Sequence, residues 1–282
     1  MVNQSPGQPQ YQYEWQNPTH RSFDFGKVFG RAFSGVFADI KPLLIGLLVV
    51  GLFTVGLSVM TTGATQDMVA NPNNMDMGTF YLVTFGGNLI SLLMIVWFQL
   101  IVIHTAYAKF TGDELVGQNV IGKALRFTLP MFVIAFIYSL VCILGFYALL
   151  IGFVFVWPGW ALAGPVYVFE RKGVFGSLGR AWTLARNYKR WILLFLFVLS
   201  LIASVIYSLI AGLAVVAGGY NMFDPASVGD INAASPRMII VTSLSAVAGY
   251  FIYAVYASGL TAAYLEIKDI KEGGTTLGDV FA

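Results

Sequence analysis

Charge is scarce in this chain. Only 11% of its 282 residues are Asp, Glu, Lys or Arg, against roughly 25% in an ordinary soluble domain. The formal net charge of +2 is too small to point to nucleic acid as a partner. Cysteine occurs once, as Cys142 inside an apolar run. That excludes an internal disulfide and argues against a zinc site. Acids and bases are missing from the long apolar stretches, where a proton relay or ion path would place them. Paired Asp, a Ser–His arrangement and HExxH are missing too, so no catalytic residue, metal ligand or cofactor is expected.

What is present is apolar length. Hydrophobic residues make up 57% of the chain and the mean hydropathy is +0.75. Uncharged apolar segments lie near 43–62, 80–107, 127–169, 191–217 and 238–265. Runs beyond about 18 residues read as membrane spans. The third, as one straight helix, would be roughly 65 Å long, about twice the hydrocarbon thickness. It is therefore expected to be two spans turning near Gly145–Gly152.

Charge fixes the parity. With six spans, the segments 1–42, 108–126, 170–190 and 266–282 share one side and carry 15 of the 16 basic residues, leaving only Arg237 opposite. With five, the basic 170–190 segment would face outward, against the positive-inside rule. The expectation is an all-α polytopic bundle of six spans with both termini cytoplasmic. Residues 1–21 read as a disordered tail without a cleavable leader. Residues 22–268 read as the membrane domain and 269–282 as a C-terminal tail.

A repeat is also legible. Gly30-Arg31-Ala32, Gly122-Lys123-Ala124 and Gly179-Arg180-Ala181 each precede an odd-numbered span. Phe33 and Lys41 match Trp182 and Arg190 at the offset of Arg31 and Arg180, 149 residues. Tyr107, Tyr167 and Tyr264 close the even-numbered spans ahead of basic residues. The expected unit is an amphipathic helix followed by a transmembrane hairpin, three times over, near 22–110, 115–172 and 173–268. In 174–190, spacing puts Phe175, Leu178, Ala181, Trp182 and Ala185 on one face, opposite Ser177, Arg180 and Thr183. In 25–41, Phe29, Phe33, Val36, Phe37 and Ile40 oppose Lys27, Arg31 and Ser34. Such helices suit an interface with anionic lipid, which makes Arg31, Lys123, Arg180, Trp182, Arg186 and Lys189 the candidates for headgroup contact.

A second set of residues fits a path through the membrane. Asn88, in a span, can bond across helices or touch a substrate. His104 is the one ionisable group of note in a span, and a packing role is the plainer reading. Pro158, in Trp157-Pro158-Gly159-Trp160, and Pro165 should kink or break the fourth span, and broken helices can line a binding site. The small residues Ser200, Ser204, Ser208 and Gly212, and likewise Ala254, Ser258 and Ala262, recur every four. That spacing lets helices approach closely, joining spans five and six or facing the other repeats; a homo-oligomer seam is the lesser use.

The stretch from Trp157-Pro158-Gly159-Trp160 through Pro165, Glu170, Gly173 and Arg180-Ala181-Trp182-Thr183-Leu184 resembles a multi-span bacterial family. That family is related to the membrane domain of glycerophosphoryl diester phosphodiesterases, and Ala181 stands where it usually has serine. The resemblance implies a six-helix inner-membrane protein and carries no phosphodiesterase activity, since no soluble catalytic domain is present. Two functions follow as expectations. One is a non-enzymatic module that organises lipids, a membrane-protein partner or further copies of itself through its basic helices. The other is a transporter or lipid-handling protein with a path beside the fourth span.

Overall fold

A computed structural model describes residues 23–70, 77–147, 151–217 and 236–272, and every regular element among them is helical. The expected N-terminal tail and the loop 218–235 lie outside these residues, as do 148–150 in the expected turn. The helices are α1 (Phe25–Val36), α2 (Ile40–Ala70), α3 (Met77–Tyr81), α4 (Gly87–Thr111), α5 (Glu114–Gly117), α6 (Val120–Tyr147), α7 (Ile151–Trp160), α8 (Ala163–Glu170), α9 (Gly173–Ala185), α10 (Lys189–Ala217) and α11 (Pro236–Glu272). A π-helical turn, Leu82–Gly86, leads into α4.

Five of these are long and apolar enough to cross a membrane: α2, α4 with its π turn, α6, α10 and α11. Just over half of the apolar window of α4 and of α11 is buried, whereas α2, α6 and α10 leave theirs largely exposed. The two central helices pack on each other, with α2 seated on both, α6 on α4, and α10 on α11. Inside a bilayer the apolar effect does not hold helices together, so packing and hydrogen bonds must. One such bond joins α2 to α11, between Thr54 Oγ1 and the Tyr250 hydroxyl at 2.5 Å. Leu44, Leu48, Leu52 and Leu140 point outward, as a lipid-facing surface requires.

The expected fourth span is two short helices. Pro165 has no N–H to give the carbonyl of Ala161 four residues back, and the chain steps out of the helix at Ala161–Leu162 before α8 begins. Pro158 sits inside α7, and Pro130 inside α6. Neither α7 nor α8 alone is long enough to cross.

The Gly-basic-Ala triplets part company here. Those of α1 and α9 lie in separate short helices, as expected, whereas Gly122-Lys123-Ala124 is the first turn of the long helix α6. All three alanines are nonetheless fully buried. The buried stripe of α9 is rotated from the expected one: Ser177 is buried and Phe175 is 77% exposed. Ser177 can go inside because its Oγ donates to the Gly173 carbonyl at 2.6 Å, satisfying the hydroxyl locally. In α1 likewise Val28, Ala32, Gly35 and Val36 are buried while Phe37 and Ile40 are exposed. The α10 stripe departs too, because Ser204 and Ser208 face outward. In α11, Ala254, Ser258 and Ala262 are fully buried, and the Ser258 hydroxyl donates to the Arg31 carbonyl of α1 at 3.2 Å.

Candidate functional site

Two features stand out: a charged end and, beside the broken span, an apolar cavity. The charged end gathers α1, α9 and the last turns of α8 and α11. Helix α11 continues through Glu272, so residues expected to open the C-terminal tail are helical. Asp24 starts α1 by accepting from the Lys27 N–H at 2.9 Å, an N-cap.

Glu266 of α11 is 7% exposed and takes Lys27 at 2.7 Å and Arg31 at 3.9 Å from α1. Glu170, ending α8, holds Lys172 at 3.1 Å and Arg180 Nε at 2.9 Å, and accepts from the Tyr264 hydroxyl at 3.2 Å. Arg180 reaches Glu272 through its second arm. Burial alone would raise the Glu170 pKa. The hydrogen bonds and charges of Lys172 and Arg180 outweigh it and hold the carboxyl below its usual range. Arg31 and Arg180, expected to meet lipid headgroups, are instead committed to carboxylates. Trp182 is packed as well, under Lys189 Nζ at 3.1 Å and edge-on to Trp160. Arg186 is exposed.

This packing accounts for the motif around the proline break. A Cβ on Gly159 would collide with the Trp182 ring, so glycine lets α9 close onto α7. Glu170 and Arg180 lock the same two-helix turn. Gly159 and Trp160 thus meet Trp182, and Glu170 meets Arg180, and these contacts dock α9 onto the broken span.

Beside the break lies a cavity of ≈ 310 Å³, lined by Tyr138, Trp157, Trp160, Pro165, Tyr256 and Leu260 among others. Its wall is mostly apolar. The polar exceptions include Gln99 and the Tyr138 hydroxyl, which donates at 3.3 Å to the Trp157 carbonyl in the last turn of α7, where helical partners run out. Pro158 is buried without lining it. Asn88 is not brought here: it is exposed, and its amide donates to the Thr84 carbonyl of its own helix. His104 is 3% exposed, bonded through Nδ1 to the Leu100 carbonyl at 2.7 Å and flanked by Phe127 and Phe169.

Toward the charged end, one turn along the same helices, a cleft of ≈ 380 Å³ is lined by Lys123, Arg126, Arg171, His104, Phe127 and Tyr167. Comparison with family models, with curated proteins and with solved structures gives no match for this chain. The site therefore has to be read from its own geometry. Among the described residues, no group of three or more His, Cys, Asp or Glu could hold a metal ion.

Sequence reasoning pointed to Pro165 and the break, and the structure places both beside a cavity. It missed Tyr138 and Tyr256, because a tyrosine in an apolar run carries no sign of the direction it faces. It also missed Arg126 and Arg171 as a pair, since 45 residues separate them.

Proposed function

We propose that this chain is a non-enzymatic integral membrane protein that handles lipid, taking the hydrocarbon part of an amphiphile into the cavity beside its broken span. The carrying observation is that cavity, lined by residues of α4, α6, α7, α8, α10 and α11. At ≈ 310 Å³ it falls at the lower end of ligand-site sizes, roughly 300–1,000 Å³, and like them it is apolar with a few polar groups. Filling it tests the reading. Ala135→Phe and Ala257→Phe, on two of its walls, should each weaken binding of a fluorescent fatty acid to the detergent-purified protein at least about tenfold. Ser204→Phe, on the outer face of α10, should leave binding unchanged. Equal binding by all three would remove the cavity from consideration.

In this proposal Ile151 to Phe169 forms a sixth crossing, with the break at its centre. The chain then consists of three hairpins of one ancestry, related to the bacterial family that the proline motif resembles. It lies in the bacterial inner membrane with both termini and the charged end in the cytoplasm. Support comes from the gathering of α1, α9 and the ends of α4 and α11 at one end. A reporter fused after Lys189 should read as cytoplasmic; an external signal would overturn six crossings.

A second reading, a module that organises lipid or protein partners at the cytoplasmic face, is favoured by one observation. Phe175 and Trp191 are 77% and 45% exposed and Arg186 is exposed too, aromatic and cationic side chains of the kind suited to headgroup level.

A further inference from the structure

We propose that the cleft formed by Lys123, Arg126 and Arg171 is a binding site for a phosphate diester, the headgroup of an anionic phospholipid or a soluble ester of the same chemistry. The inference stands on side chains other than those of the apolar cavity, and it does not depend on that cavity being filled.

Three cations line a space of ≈ 380 Å³, and none of the residues lining it is acidic. Like charges brought together repel one another, so a cluster of cations favours an anion that joins it. Elsewhere at this end the protein supplies that counter-charge itself: Glu266 for Lys27 and Arg31, Glu170 for Lys172 and Arg180. Glu170 adjoins Arg171 in sequence, yet it is turned to α9 and Tyr264. Arg126 and Arg171 form no ion pair among the described residues, and Lys123 Nζ donates to the Val116 carbonyl at 3.3 Å. The exposed guanidinium groups of Arg126 and Arg171 are therefore open to an anion from outside.

The backbone adds a second observation. Arg171 caps α8 in the left-handed conformation, with φ 52°, donating its N–H to the Tyr167 carbonyl at 3.3 Å. That position favours glycine or asparagine, and a long side chain there is costly. An arginine at such a position earns its place by what its side chain does, and its side chain lines the cleft.

The remaining wall fits an amphiphile held by its head. Phe127, Tyr167 and His104 give the cleft an aromatic floor. Guanidinium groups bind phosphate oxygens through two parallel N–H bonds, which lysine alone cannot do. Basic pockets between membrane helices near the cytoplasmic surface are suited to anionic headgroups.

The test uses the full chain in neutral detergent with phosphatidylglycerol or diacylglycerol of the same acyl composition, retained lipid being counted by native mass spectrometry. The wild type should retain phosphatidylglycerol at least about fivefold over diacylglycerol, and Arg126→Gln with Arg171→Gly should abolish that preference. Lys41→Gln with Arg190→Gln removes the same charge from exposed sites outside the cleft and should preserve it. Arg171→Gly relieves a left-handed arginine, so its melting temperature should equal or exceed the wild type, which separates lost binding from lost folding. Displacement by excess glycerophosphoglycerol, the soluble diester of the same headgroup, would identify a soluble phosphate diester as the ligand; retention against it would identify the lipid headgroup. The proposal fails if the wild type shows no preference, if the control pair loses as much as the cleft pair, or if Arg171→Gly binds as the wild type does.

Discussion

Replacing Glu170 by Gln should lower the melting temperature by roughly 4–8 °C, the equivalent of about 2 kcal/mol for a chain of this size. Glu170 has 9% of its side chain exposed and joins Lys172 and Arg180 to the Tyr264 hydroxyl. Removing one partner from a fully buried pair costs about 3–5 kcal/mol. The smaller figure is expected because Lys172 is 48% exposed, which screens its share, and because Arg180 keeps Glu272. Differential scanning fluorimetry in detergent measures the loss. A double-mutant cycle with Arg180→Gln should show coupling, since the two side chains share one network.

The same carboxylate sets an acid limit. Its pKa is held below the ordinary range by Lys172 and Arg180 against the opposing effect of burial. A group whose folded pKa is depressed stabilises the fold above its unfolded pKa, and that contribution is lost as pH falls through the folded value. The melting temperature of the wild type should therefore drop as pH is taken below roughly 4, and Glu170→Gln should be the less pH-sensitive of the two in that window. Equal slopes would show that Glu170 is not the group responsible.

Gly159→Ala should be comparably damaging, by about 1–3 kcal/mol, the usual range for overpacking. The added methyl meets the face of Trp182, and that ring is held between Trp160 and Lys189 and cannot swing aside freely. Alanine favours the helix more than glycine does, so a loss of stability would isolate the collision as its cause. Trp182→Leu on its own should also destabilise, by removing the cation–π contact and buried ring area. The pair Gly159→Ala with Trp182→Leu should lose less than the sum of the two. Additive losses in thermal melts would mean that α7 and α9 are not coupled through this contact.

These contacts change the meaning of the most conspicuous motif in the chain. In sequence, Trp157-Pro158-Gly159-Trp160 followed by Glu170 and Arg180-Ala181-Trp182 looks like a possible binding element. In the fold, most of it is a clasp between a broken span and a short helix. The cavity is what the clasp leaves beside it, lined by Trp157, Trp160 and Pro165 of that stretch together with side chains from α4, α6, α10 and α11.

Membrane character, all-helical class and the interruption of the expected fourth span were legible from the sequence. Each depends on local quantities: apolar length against bilayer thickness, helix formation where backbone bonds must close internally, and a proline that cannot donate. The basic residues could be assigned to one end by counting, because charge resists crossing the bilayer. The partners of those charges could not be assigned in the same way. Arg31 and Arg180 carry the same triplet as Lys123, yet the first two meet Glu266 and Glu170, and Lys123 joins Arg126 and Arg171 around a cleft. That difference arises from how α9 turns after Glu170 and from α11 continuing to Glu272. Both are decided by packing between segments far apart in the chain, and periodicity within one helix does not encode it. The sequence by itself determined a helical membrane protein with a charged end; only the tertiary structure decided which charges there meet carboxylates and which line a cleft.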